Sequence, residues 1–83
     1  MEEKILEIIE TLDSLLEELP IKAKSHMEGV LKDLNTIKGQ LNVNLLMKIQ
    51  DDLEFITNIQ NVDNYSRNEI MNAIAEIESL YIS

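Results

Sequence analysis

The chain has 83 residues, no cysteine, one histidine and a net charge of −9 at pH 7, which is one small domain near the lower size limit for an unstapled core. Disulfide frameworks and thiolate or His-rich zinc sites are excluded, and so much acid makes a poor binder of nucleic-acid phosphate or anionic lipid. A hydrophobic fraction of 45% argues against disorder, and with aromatics at 4% and mostly Leu and Ile as apolar residues the composition is that of a helix bundle.

The first segment, "MEEKILEIIE", opens with acids, the reverse of a secretory signal. No apolar run approaches the roughly 18 residues of a membrane span. The expected location is therefore the cytoplasm, with no membrane and no nucleic acid as partner. Ile5, Ile8, Ile9, Leu12, Leu15, Leu16 and Leu19 recur at three- and four-residue steps, the apolar stripe of a first helix. Glu3, Glu7, Glu10, Asp13 and Glu17 fill its other side. Pro20 ends it, lacking an amide donor and disfavouring helix in the residue before it.

A second helix begins between Pro20 and His26 and carries Met27, Val30, Leu31, Leu34 and Ile37. Ser25 with Glu28 has the spacing of a capping box, and Gly39 is placed as its C-terminal cap. The connection "GQLNVN" supplies Asn42 or Asn44 as the next N-cap. A third helix carries Leu45, Leu46, Ile49, Leu53 and Ile56. After the turn-rich "IQNVDNY", Ser66 and Glu69 form a second capping box before Ile70, Ala73, Ile74, Ile77 and Leu80.

The two halves resemble each other. Leu12, Leu15, Ile21, Ser25 and Glu28 match Leu53, Ile56, Val62, Ser66 and Glu69 at an offset of 41, and Val30, Leu31, Leu34 and Ile37 match Ala73, Ile74, Ile77 and Leu80 at an offset of 43. Each half is a hairpin, about 2–39 and about 43–82, with an apolar face it cannot bury alone. Packing them together predicts an all-α, up-and-down four-helix bundle built from two similar helical hairpins, as a single domain.

The run "LEFITNIQNVDNYSRNEIMNAIAEIESL" resembles the C-terminal half of uncharacterised protein family 0147, short archaeal helical proteins with no assigned activity. Leu53, Glu54, Ile56, Thr57 and Asn58 fit the family's helix end, Asn61 and Val62 its turn, and Ser66, Arg67 and Ile70 the start of its last helix. Gln60 and Asp63 stand where the family has prolines, and Met71 where it has tryptophan. The N-terminal half matches more loosely, through "LDSLLEELPIKAK". The resemblance implies a four-helix bundle and an archaeal source.

Several side chains carry chemistry. Glu7 with Glu10 and Asp51 with Glu54 have the spacing that helical nucleotide hydrolases and di-iron bundles use. Helical angles put Glu7 and Glu10 roughly opposite the centre of their stripe, and Asp51 and Glu54 roughly 130° or more from theirs. All four are expected in solvent, with no metal site and no cofactor. His26 is expected as an exposed polar residue. Lys22, Lys24, His26 and Lys32 form the main positive region, expected to complement the first helix's seven acids between Glu2 and Glu18.

Arg67, the only arginine, is the candidate binding residue. It falls about 85° from the apolar centre of the fourth helix, at its flank. From there it can pair with an acid of the first or third helix or pack its stem, or anchor a partner's carboxylate or a phosphate. Leu6, Tyr65, Tyr81 and Ile82 fall off the main stripes and would form a patch if grouped. Leu6 widens the first apolar face enough to favour a homodimer. The leading expectation is a non-catalytic protein-interaction module with a protein partner. The alternatives are a magnesium-dependent nucleotide-binding or hydrolysing protein that gathers the outward carboxylates in an oligomer, and an acidic mimic of nucleic acid.

Overall fold

The computed structural model describes residues 2–82. They form α1 (Glu2–Asp13), a 3₁₀ turn (Leu16–Glu18), α2 (Ile21–Ile37), α3 (Val43–Thr57) and α4 (Asn64–Tyr81). The chain is all-α. Each helix packs against its neighbour in sequence and α4 returns to α1, so four helices run up and down around one core. The bundle measures 33 × 20 × 19 Å, little longer than its longest helices.

Helical periodicity places the buried side chains. Ile5, Ile8 and Leu12 of α1 are buried, and Leu15 continues the row past the helix end. Ala23, Met27, Val30 and Leu34 form the inner row of α2, and Leu46, Ile49, Leu53 and Ile56 that of α3. In α4 the row is Ser66, Ile70, Ala73 and Ile77. Ile9, Leu16, Leu45, Ile74 and Leu80, expected inside, are only partly buried and pack on the edge of this core.

The first helix is shorter than the stripe from Ile5 to Leu19 predicts. Its winding gives way after Asp13, and tighter bonds follow, from Glu18 N–H to Leu15 O at 3.0 Å and from Leu19 N–H to Leu16 O at 3.3 Å. Two causes act together. Pro20 forces Leu19 into extended backbone (φ −85°, ψ 144°). Glu17 and Glu18 also sit where a helix end carries partial negative charge, and no base offsets them. Leu15 and Leu19 still point inward.

The second helix starts at once after Pro20, whose carbonyl accepts from Lys24 N–H at 2.8 Å. Ser25 is therefore interior to α2 and exposed, and the Ser25–Glu28 capping box does not form. Gly39 is no left-handed cap, since no described glycine has positive φ. The chain leaves α2 instead through a turn that closes with Gln40 N–H donating to Ile37 O at 3.0 Å. At the start of α3 the cap is Asn42, whose Oδ1 accepts from Leu45 N–H at 3.0 Å.

The fourth helix corrects the second capping box. Its N-cap is Asp63, and Asp63 Oδ1 accepts from Ser66 N–H at 2.8 Å. Ser66 lies three residues inside, wholly buried, in register with Ile70 and Ala73. The turn before it contains Asn61 at φ 76°, the only non-glycine residue with positive φ among the described residues. Asparagine tolerates that left-handed conformation better than most side chains. Val62 then turns inward and plugs the end of the core, 4% exposed.

The hairpins are alike where helices pack and unlike where they begin. Leu12 and Leu53, Leu15 and Ile56, Val30 and Ala73, and Leu34 and Ile77 are buried in matching pairs. The matched turn residues diverge, because Ile21 is 88% exposed while Val62 is buried.

Candidate functional site

Position on the bundle decides what each polar side chain can do. Glu7 and Glu10 on α1, and Asp51 and Glu54 on α3, are all exposed as their helical angles require. The two helices are diagonal in the bundle, since each packs chiefly on α2 and α4. The two acid pairs therefore point away from each other on opposite sides. No group of three or more metal-ligating side chains converges among the described residues. The shallow depressions near the α2–α3 connection are bordered by side chains such as Glu2, Lys38 and Gln40, with no paired acids among the described residues.

Arg67 is partly buried at the flank of α4, where its angle placed it. It meets no acid. Its Nε donates to the Thr57 carbonyl at 3.0 Å, and its Nη1 donates to Asn64 Oδ1 at 3.1 Å. Thr57 is the last residue of α3, so the guanidinium serves one of the orphan carbonyls of that helix end. Two of its five N–H donors are engaged in this way. Arg67 thus clamps the end of α3 to the start of α4.

Asp63 completes that corner. Its carboxyl is held below the ordinary aspartate range, first by the Ser66 hydroxyl beside it and the Ser66 amide, then by the Arg67 charge, with desolvation opposing them. The amide is the cap. The hydroxyl makes no hydrogen bond of full geometry and acts only as a nearby dipole. Ser66 Oγ is the one buried side-chain oxygen or nitrogen among the described residues without a hydrogen-bond partner.

The charged residues pair differently from the expected match between α1 acids and α2 bases. Lys4 of α1 pairs with Glu76 of α4 at 3.7 Å, and Lys48 of α3 pairs with Asp33 of α2 and with Asp52, each at 3.0 Å. The two aspartates raise the Lys48 pKa, chiefly through hydrogen bonds, Asp33 first. Lys22, Lys24 and Lys32 stay exposed and, among the described residues, form no ion pair. His26 is exposed, with its ring edge-on to Phe55 at 4.8 Å.

The apolar residues off the main stripes separate. Tyr81 packs on the core, and its hydroxyl donates to Gln50 Oε1. Gln50 Nε2 in turn donates to the Ile74 carbonyl at 3.1 Å. Leu6, Tyr65 and Ile82 are exposed on different helices or turns of the bundle. Large apolar exposure also falls where the stripe reading did not look, at Met47 (50%), Phe55 (47%) and Met71 (56%). The signal for these was present in the sequence as apolar residues on the polar arc of an otherwise amphipathic helix.

The Gln50–Ile74 bond and the Arg67–Thr57 bond fix how α3 and α4 lie side by side. They set residue 50 level with 74 and residue 57 level with 67, the antiparallel register. Helical angles then put Val43, Met47, Asp51 and Glu54 of α3 beside Met71, Ala75, Glu78 and Ile82 of α4 on one outer face. All eight are exposed.

Comparison of the chain with family models, curated proteins and solved structures finds no match to any of them.

Proposed function

We propose that this protein is a non-catalytic protein-interaction module of the cytoplasm, binding a protein partner through an outer helix face. The observation that carries the reading is the exposure of Met47 and Met71 on helices whose inner rows are already filled. A small domain gains nothing in folding from large apolar side chains in water, and such residues are the usual anchors of protein contact. No described helix is long and apolar enough to cross a membrane, so these side chains have no bilayer to meet along a spanning helix.

Arg67 is the proposed anchor for a partner's carboxylate. Its engaged donors hold the guanidinium at a fixed place at the α3–α4 corner, and its remaining N–H groups are available to an acceptor. The resemblance to family 0147 is consistent with the same bundle and brings no activity with it.

The test is affinity capture from a lysate of the source organism. Wild-type chain, Arg67→Ala and Arg67→Lys are used as baits. A reproducible partner supports the module, and its loss with both variants supports Arg67 as the anchor. A partner retained by both variants removes Arg67 from the site. Recovery of nothing above background rejects the module.

A further inference from the structure

We infer that the outer α3/α4 face is a docking surface for a basic amphipathic helix of a partner protein, an inference that rests on the module reading above. Three observations converge on it. The first is apolar anchor content. Met47 and Met71 are 50% and 56% exposed, and Val43 and Ile82 at one end of the same face are 41% and 58% exposed. Methionine is flexible and polarisable, and suits a surface that takes up helices of varied sequence.

The second observation is geometric. Met47 lies three residues before Gln50 and Met71 three residues before Ile74, and Gln50 is bonded to the Ile74 carbonyl. Because the helices are antiparallel, the two methionines are displaced in opposite directions from that level, by about 9 Å along the axis at 1.5 Å per residue. Side chains one to two turns apart on an incoming helix span that distance. The face runs for the length of α3, about 21 Å, which accommodates about 14 residues of partner helix.

The third observation is charge, and it selects the occupant. The ionisable side chains bordering the apolar anchors are Asp51, Glu54 and Glu78, all exposed. Among the described residues the only base at this face is Arg67, at its far end and bonded to Thr57 and Asn64. Lys48 lies on the α2 side of α3, held by Asp33 and Asp52. A second copy of the chain would set these acids against one another, on a protein of net charge −9. A helix with lysine or arginine flanking an apolar stripe meets both parts of the face.

The test uses the whole chain and an 18-residue helical peptide with one Leu stripe and Lys elsewhere. A permuted peptide of the same composition, without the stripe, is the charge control. Fluorescence anisotropy at physiological salt is measured for wild type, the double variant Met47→Ser/Met71→Ser, and Phe55→Ser on the opposite, α2-facing edge of α3. Thermal melts confirm that all three fold. The expected result is binding of the striped peptide that weakens at least tenfold in the double variant, is unchanged in Phe55→Ser, and is at least tenfold weaker for the permuted peptide. The ¹³C methyl signals of Met47 and Met71 are expected to shift on binding while that of buried Met27 does not.

Equal affinity for both peptides, or no effect of the double variant, overturns the inference in favour of net charge alone. A wild-type dimer that the double variant converts to monomer also overturns it, with a second copy as the occupant. Lysate capture with wild type and double variant separates the two readings. A partner kept by the double variant refutes this face and leaves the module standing, whereas no partner for either bait refutes the module and this inference with it.

Discussion

Asp63 caps α4 by accepting the Ser66 amide at 2.8 Å, while the Ser66 hydroxyl is buried without a hydrogen bond of its own. The two residues therefore respond unequally to truncation. Asp63→Ala removes the acceptor for an orphan amide of the first turn and is expected to lower the thermal midpoint by a few degrees. Ser66→Ala removes a buried hydroxyl that has no hydrogen bond of its own, which offsets loss of its dipole beside the Asp63 carboxylate, and is expected to lower the midpoint less than Asp63→Ala does. Parallel melts of the two variants check the assignment. A loss of stability in Ser66→Ala as large as that in Asp63→Ala would make Ser66 the cap after all.

The same carboxylate sets a pH dependence. Asp63 titrates below its ordinary value of 3.8 in the folded chain, chiefly through the Ser66 hydroxyl and amide. The unfolded chain thus binds its proton more readily, so this contribution is fully present above the unfolded pKa and is lost as pH falls through the folded one. Asp63→Asn keeps a capping oxygen but does not titrate. Between about pH 5 and 3 its midpoint is expected to fall less steeply than that of wild type. Parallel curves would remove Asp63 from the acid response.

What could be read from the sequence follows from what repeats in it. The inner rows of all four helices were legible because burial selects apolar residues at a fixed helical period. Ala23 and Ser66 continue those rows, at four residues before Met27 and Ile70 respectively, but a small side chain gives little hydrophobic signal. Ser66 was misread for a second reason. Ser and Asp are both good N-caps, and only the direction of the side chain at position 66 decides between them. The 3₁₀ turn after Asp13 was illegible because the stripe through Leu19 fits either winding. In the candidate site, Arg67 was correctly placed at the α4 flank, but its acceptors Thr57 and Asn64 carry no charge and so leave no pattern to find. The outer α3/α4 face needed the Gln50–Ile74 bond to set the two helices in register.

Packing energetics rank three expected core positions unequally. Leu12 and Ile77 are fully enclosed, and Leu12→Ala or Ile77→Ala is expected to cost about 2–5 kcal/mol through lost transfer energy and the cavity left behind. Ile74 is only partly buried at the α3–α4 seam. Ile74→Ala can relax into solvent and is expected to cost less than either. Urea unfolding of the three variants tests the order, and a loss at Ile74 equal to that at Ile77 would contradict it.

Gly29 sits inside α2 on an exposed face, and a Cβ added there meets nothing within 4 Å. Its φ is not positive, so alanine fits the existing backbone. Alanine also removes conformational freedom from the unfolded chain. Gly29→Ala is expected to stabilise the protein by about 0.5–1 kcal/mol, read as a higher denaturation midpoint with an unchanged slope.

The turn at Asn61 makes the opposite demand. Its φ of 76° lies in the left-handed region, where glycine is free, asparagine is tolerated and a β-branched side chain is strained. The turn must hold this shape because Val62 on one side is buried in the core and Asp63 beyond it caps α4. Asn61→Val is expected to cost about 1–2 kcal/mol. Asn61→Gly is expected to stay near wild type, since relief of the left-handed strain offsets the added freedom of the unfolded chain. Chemical denaturation of both variants separates backbone strain from any role of the Asn61 side chain. If glycine destabilises as much as valine, the side chain and not the backbone holds the turn.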